Sequence, residues 1–164
     1  MFDVTGLEIG YYRSDIGLIQ LGVSNEALQM CIFLDDDAHP SKSSKTPVMT
    51  ECIKQLDAYF KGKNHTFSVP LKPKGTEFQQ RVWQTLRHIP YGQTPSYKHV
   101  AEMIARPKAA RAIGHANHFN PIAIIIPCHR VISSNGQLSG YRGGVWRKQW
   151  LIQHEKTRAK HGSK

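Results

Sequence analysis

The chain has 164 residues, 22 Lys+Arg against 12 Asp+Glu, and a formal net charge of +10. That length predicts one domain or two small ones, with enough buried surface to need no metal or disulfide staple. Three cysteines (Cys31, Cys52, Cys128) without a CxxC pair argue against a disulfide framework and a structural zinc site, and for a reducing compartment. No apolar run approaches membrane-spanning length, and the first residues lack the basic start and apolar core of a secretory signal, so no membrane contact is expected. The expected location is the cytosol, or the nucleus in a eukaryote.

The charge is unevenly placed. Residues 1–71 carry 6 basic and 9 acidic side chains, a net of −3, whereas residues 72–164 carry 16 and 3, a net of +13. A basic field of that size attracts polyanions through counterion release.

In chain order, residues 7–12 and 18–23 alternate as strands, joined by the turn residues Ser14-Asp15-Ile16-Gly17. A third strand covers 28–34 and ends in the acidic run Asp35-Asp36-Asp37. After a polar loop, Thr46-Pro47 starts a helix in the N-cap and N1 positions. Val48, Cys52, Leu56, Tyr59 and Phe60 form its apolar face, and Gly62 stops it. A further strand is expected over 66–71. Two prolines and Gly75 in residues 70–75 mark a linker, so we divide the chain into lobes at 1–71 and 72–164.

The second lobe opens with a helix capped by Thr76, with Gln79 three residues on as in a capping box. Phe78, Val82, Trp83 and Leu86 make its apolar face, and Pro90 and Gly92 end it. Ser96 caps a helix over 97–105, and a short connection leads to a helix over 109–117 rich in small residues. Two short helices so joined suggest a helix-turn-helix, whose second helix enters DNA. The apolar run 122–126 then reads as a buried strand delivering Cys128 to a pocket beside His129. Neighbours of that kind lower a cysteine pKa toward neutrality. A last helix spans 148–155, with fraying expected beyond it.

Several of these segments together resemble the DNA alkyltransferases that repair O6-alkylguanine. The segments are Phe78-Gln79-Gln80-Arg81-Val82-Trp83, Pro90-Tyr91-Gly92, Ser96-Tyr97, Ala110-Arg111-Ala112-Ile113-Gly114, Asn120-Pro121, Pro127-Cys128-His129-Arg130-Val131, Gly140-Tyr141-Arg142-Gly143-Gly144 and Arg147-Lys148-Gln149-Trp150-Leu151. The resemblance covers about half the chain, in order. It implies an α+β fold, with an N-terminal ribonuclease-H-like lobe and a mostly helical C-terminal lobe holding the helix-turn-helix.

The resemblance also implies roles. Cys128 accepts the alkyl group irreversibly, so each molecule acts once. His129 takes the thiol proton through a water, Glu155 orients the imidazole, and Tyr97 protonates the leaving base. Arg111 fills the stack vacated by a flipped nucleotide. Ala109, Ala110, Ala112, Gly114 and Ala116 suit close approach in the minor groove, with Tyr97, Lys108 and Arg130 as further DNA contacts. Tyr141, Lys148, Asn120 and Arg142 belong to the substrate pocket. The implied partner is double-stranded DNA carrying alkylated guanine, bound by a monomer without cofactor or metal. O4-alkylthymine stays open as a second substrate.

The chemistry of the residues agrees with this. Displacement at a saturated carbon needs a soft nucleophile and no redox group, and a thiolate meets that need. Cys31 and Cys52 read as small buried hydrophobes. His115, His118 and Phe119 stand where many relatives carry small residues, which leaves the tolerance of bulky alkyl groups open. Two other functions remain to be separated from alkyl transfer. One is a lesion sensor, whose known relatives carry tryptophan at the cysteine position. The other is a thiol hydrolase or a helix-turn-helix regulator.

Overall fold

The computed structural model describes residues 3–35, 38–138 and 140–162. Asp36 and Asp37 of the acidic run, and the chain termini, lie outside the described residues. The chain forms two compact units: residues 3–74 with Pro121–Ala123, and Gly75–Asn120 with residues 124–162. Among the described residues the fold is α+β, as the resemblance implies, with one three-stranded sheet and five α-helices.

In the first unit, β1 (Glu8–Ser14), β2 (Gly17–Ser24) and β3 (Ala27–Phe33) form an antiparallel meander. Asn25 and Glu26 both take positive φ, 51° and 62°, as a tight two-residue hairpin requires. The pairing steps from Gly22↔Met30 to Val23↔Leu28, which leaves Gln29 bulged. That extra residue changes the phase of β3, so Leu28 and Cys31 both turn their backbone groups to its outer edge. Two segments cap this edge in parallel. Leu28 N–H donates to the Pro70 carbonyl at 2.8 Å, and Cys31 N–H donates to the Pro121 carbonyl at 2.8 Å. The strand expected over 66–71 is therefore reduced to a single bridge at Leu71. Pro70 has no N–H with which to extend a ladder.

Helix α1 (Pro47–Phe60) covers this sheet. Its buried residues are Met49, Cys52, Leu56, Tyr59 and Phe60, so Met49 takes the inward place expected of Val48. The cause lies in β1. A Cβ on Gly10 would stand 2.4 Å from the Met49 sulfur, so glycine opens the slot that the thioether fills. Cys31 and Cys52 are fully buried, and burial raises both thiols, that of Cys52 to about 11.

The second unit is built on α2 (Glu77–Leu86), α3 (Tyr97–Met103), α4 (Ala110–His118) and α5 (Val145–Gly162). Thr76 and Gln79 make the expected capping box. Helix α2 stops at Leu86, ahead of Pro90 and Gly92, and closes in turns through Ile89. Ser96 caps α3 by accepting from His99 N–H at 3.0 Å. Trp83 is buried on α2, and its indole N–H donates to the Ala116 carbonyl at 2.9 Å. That bond fixes α4, and it turns Ala116 inward, away from the exposed face expected of it. Helix α5 continues well past Glu155. Leu151 and Glu155 are buried, and Ala159 packs against Gly92, which takes φ +84°.

Trp83→Phe keeps most of the buried ring but orphans the Ala116 carbonyl. It should cost about 1–3 kcal/mol of unfolding free energy, measured in urea, with the midpoint lowered and the slope unchanged.

Candidate active site

Cys128 does not stand at the end of a strand. Past Ile122 the chain turns, Ile124 adopts φ 70°, and Cys128–Arg130 form one turn of 3-10 helix. A β-branched residue in the left-handed region is strained, so the surrounding packing must hold it there. The run is buried as expected, with Ile124, Ile125 and Ile126 at most 6% exposed, but it is folded rather than extended. Apolarity specified the burial and left the backbone path undetermined. Two asparagines hold this turn. Asn120 Nδ2 donates to the Ile126 carbonyl at 2.8 Å, and Asn117 Nδ2 donates to the Cys128 carbonyl at 3.3 Å. Asn117 escaped the sequence reading. It is a polar residue buried in the last turn of α4, where its amide needs a polar partner.

Next to Cys128 lies a buried charge cluster. His129 Nε2 stands 2.6 Å from Glu155 Oε2. Arg130 Nε donates to Glu155 Oε1 at 2.7 Å, its Nη2 to Oε2 at 3.1 Å, and its Nη1 to the Ile89 carbonyl at 2.6 Å. Gly92 N–H adds a bond to Oε1 at 3.4 Å. Burial works against the Glu155 carboxylate, yet His129 and Arg130 together hold it well below the usual range. For His129, burial pushes the imidazole pKa down and outweighs the pull of Glu155. The ring is therefore neutral near pH 7. A carboxylate has no proton to give, so Nε2–H donates and Nδ1 carries the lone pair. Nδ1 is buried and has no hydrogen-bond partner among the described residues.

Arg130 is 6% exposed and committed to this cluster, which corrects its expected place among the DNA contacts. A guanidinium that neutralises a buried carboxylate cannot leave it for a phosphate without stranding the acid. Lys108, Arg111 and Ala112 are exposed, while Ala110, Gly114 and Tyr97 are half-buried. Lys148 is 1% exposed, and its ammonium donates to the Tyr97 hydroxyl at 3.4 Å.

Cys128 is 6% exposed, and burial raises the pKa of its thiol. A hydrogen bond from Asn120 and the charges of Lys148 and Arg142 pull the other way without overcoming it. The expected shift toward neutrality is thus reversed at rest, because desolvation of the anion outweighs its partners. Arg142 is exposed; its Nε donates to the His118 carbonyl at 3.0 Å. Tyr141 is half-buried. Among the described residues, no cluster of three His, Cys, Asp or Glu could hold a metal, and no helix is long and apolar enough to cross a membrane.

Two family models match: the ribonuclease-like domain of 6-O-methylguanine DNA methyltransferase over residues 8–73, and its DNA binding domain over residues 77–157. The chain belongs to the 6-O-methylguanine DNA methyltransferase family. It is 47% identical over 155 residues to a methylated-DNA–protein-cysteine methyltransferase of Mycobacterium tuberculosis, covering 91% of this chain and 94% of the relative. With the protein of that name from Mycobacterium leprae it shares 49% over 146 residues, 87% of this chain and 88% of the other. The crystal structure of Mycobacterium tuberculosis O6-methylguanine methyltransferase superposes with a TM-score of 0.81 at 44% identity, covering 92% of this chain and 94% of that one. A Mycobacterium tuberculosis OGT in complex with DNA matches with the same score over 90% of this chain and 93% of that one.

The buried pair sets the pH dependence of stability in this family member. Both groups have depressed pKa values in the folded state, so the unfolded chain binds more protons in acid. Their contribution is complete above about pH 6.5, declines as His129 protonates in the unfolded chain, and falls again below about pH 4.5. Urea unfolding across pH should trace that descent. Glu155→Gln should lower stability at pH 7 by about 3–5 kcal/mol, because Arg130 stays buried without its counter-charge.

Proposed function

We propose that this protein repairs DNA directly, moving the alkyl group of O6-alkylguanine onto Cys128 in a single irreversible turnover. The observation that carries the reading is the row Cys128–His129–Glu155. A buried thiol neighbours an imidazole whose Nε2 is tied to a carboxylate and whose Nδ1 keeps a lone pair.

The steps follow from that arrangement. Nδ1 of His129 accepts the thiol proton through a bridging water, and Glu155 stabilises the imidazolium that forms. The sulfur attacks the alkyl carbon in line. The new S–C bond forms as the carbon–O6 bond breaks, and the electron pair leaves on the guanine. Tyr97 gives that base a proton, and the Lys148 ammonium offsets the charge left on the phenolate. The thioether product is stable to water, so the protein is consumed. The raised resting pKa of Cys128 suits this order, since the thiol stays protonated until a base and a substrate are both in place.

A buried sulfur cannot meet a base inside a duplex. The damaged nucleotide must be flipped out at a cost of a few kcal/mol. Arg111, exposed near the start of α4, would occupy the gap, with Lys108, Ala110, Ala112 and Gly114 along the minor groove. Minor-groove contact reads sequence poorly, which fits a protein that must act at any guanine. The protein acts as a monomer, without cofactor, and O4-alkylthymine is a second substrate to be tried.

The decisive experiment uses duplex DNA with label in the O6-methyl group. Label should appear in the Cys128 peptide at no more than one equivalent per protein, and Cys128→Ser should abolish transfer while keeping lesion binding. Product exceeding protein would indicate a hydrolase. Binding without transfer by the unaltered protein would indicate a sensor. Tyr97→Phe should slow transfer about 10²-fold or more with a much smaller change in DNA affinity, compared by single-turnover kinetics and a binding titration.

A further inference from the structure

Helix α4, which the proposed function lays against DNA, begins without a side-chain cap, whereas Thr76 and Ser96 cap α2 and α3. Trp83 holds its far end through the Ala116 carbonyl, so its near end is set by the turn before it. That turn is a Schellman closure of α3. Arg106 N–H donates to the Ala101 carbonyl at 2.9 Å, and Ala105 N–H to the Glu102 carbonyl at 3.0 Å. Ala105 takes φ 58°, at the position where glycine is usual because a Cβ is crowded there. An alanine in that conformation persists only where its surroundings hold it. Two side chains of α2 reach the turn. Arg81 Nη2 donates to the Ile104 carbonyl at 2.9 Å, one of the carbonyls that a helix end leaves without a helical partner. The Arg106 guanidinium lies 5.7 Å from the centre of the Phe78 ring. Phe78 and Arg81 stand three residues apart on α2 and so share one face of it.

We propose that Arg81 and Phe78 latch the turn between α3 and α4, holding Ala105 in its strained conformation and so fixing the angle at which α4 meets the duplex. This rests on the DNA-binding step of the alkyl-transfer reading above and adds two positioning residues to it. Neither touches the reacting atoms. Arg81 is otherwise exposed, so a direct phosphate contact is the rival explanation for any loss of DNA affinity. The two are separable. A cation on a phosphate displaces counterions, and removing it flattens the salt dependence of binding. A latch acts through Ala105. Glycine adopts positive φ without steric cost, so glycine at that position lessens the need for the latch.

The test measures binding of unmodified duplex DNA, transfer from O6-methylguanine in duplex DNA, and iodoacetamide alkylation of Cys128, which involves no DNA. Arg81→Met should weaken duplex binding by about three- to tenfold, the order of one hydrogen bond, with the slope of log affinity against log salt unchanged. Phe78→Leu should weaken it by about two- to fivefold, the order of one exposed cation–π contact. Ala105→Gly alone should raise the melting temperature. Combined with Arg81→Met, it should bring binding back to within about twofold of Ala105→Gly alone, because both changes act on one turn. Transfer at subsaturating DNA should fall with affinity, and iodoacetamide alkylation should keep its rate in every variant. Thermal melting identifies any loss of fold, and Arg81→Gln serves in place of an unfolded Arg81→Met. The latch is overturned by unchanged duplex binding in folded Arg81→Met, or by an equal fall in iodoacetamide alkylation. A salt slope reduced by about one, without rescue by Ala105→Gly, overturns it in favour of a phosphate contact. Failure of the unaltered protein to bind duplex DNA would instead overturn the reading on which the latch rests.

Discussion

Glu155 is a carboxylate with 1% exposure, and three separate needs meet on its two oxygens. It balances Arg130, it fixes the imidazole of His129 through Nε2, and it receives the Gly92 N–H. His129 and Arg130 come from the 3-10 turn and Gly92 from the loop after α2, so those two stretches and helix α5 are tied at one point. Buried ion pairs contribute little to stability when compared with apolar replacements, but breaking one strands a charge. The value of this one is geometric. It leaves His129 with a single tautomer and a single orientation, beside the thiol.

The second constraint is desolvation. Burial raises the Cys128 thiol and lowers the Lys148 and His129 pKa values, so near neutral pH the site rests with its nucleophile protonated and its imidazole uncharged. An exposed thiolate would react with any electrophile, and a protein used once has most to lose from such side reactions. Holding the sulfur as a buried thiol guards it. Asn120, Lys148 and Arg142 then supply the attraction for the anion once the proton has gone. The Lys148 ammonium also meets the Tyr97 hydroxyl.

Much of this was legible in the sequence where a residue type has a single physical use. Thr76 with Gln79, Ser96, and Thr46 before Pro47 announced helix starts, and the structure has those starts. The meander was legible from alternation, within two residues at each end. Three readings failed for one shared reason. The run 122–126 and the segment 66–71 read as strands, and Arg130 as a DNA contact. Apolar content specifies burial but not backbone path, and a basic residue in a basic lobe gives no sign of being turned inward. The bonds of Asn117 and Arg81 depend on tertiary placement, which no local pattern encodes.

The charge balance of residues 72–164 gains a sharper meaning from the structure. Three acids are present there. Glu155 is spent internally, Glu77 lies in the first turn of α2 where an acid favours the helix dipole, and Glu102 is exposed on α3. Arg130, paired with Glu155, and Lys148 are buried, while Lys108 and Arg111 stand at the surface. The basic residues thus divide by task. The buried ones bias the ionisation of the Cys128 thiol and the His129 imidazole, and the exposed ones present an almost unopposed positive field. Such a field attracts any duplex alike and falls steeply with salt. Affinity of this kind carries no information about damage. On the function proposed above, discrimination comes from the interior, where only a base swung out of its stack would reach the sulfur and only a carbon bonded to a good leaving oxygen would react with it.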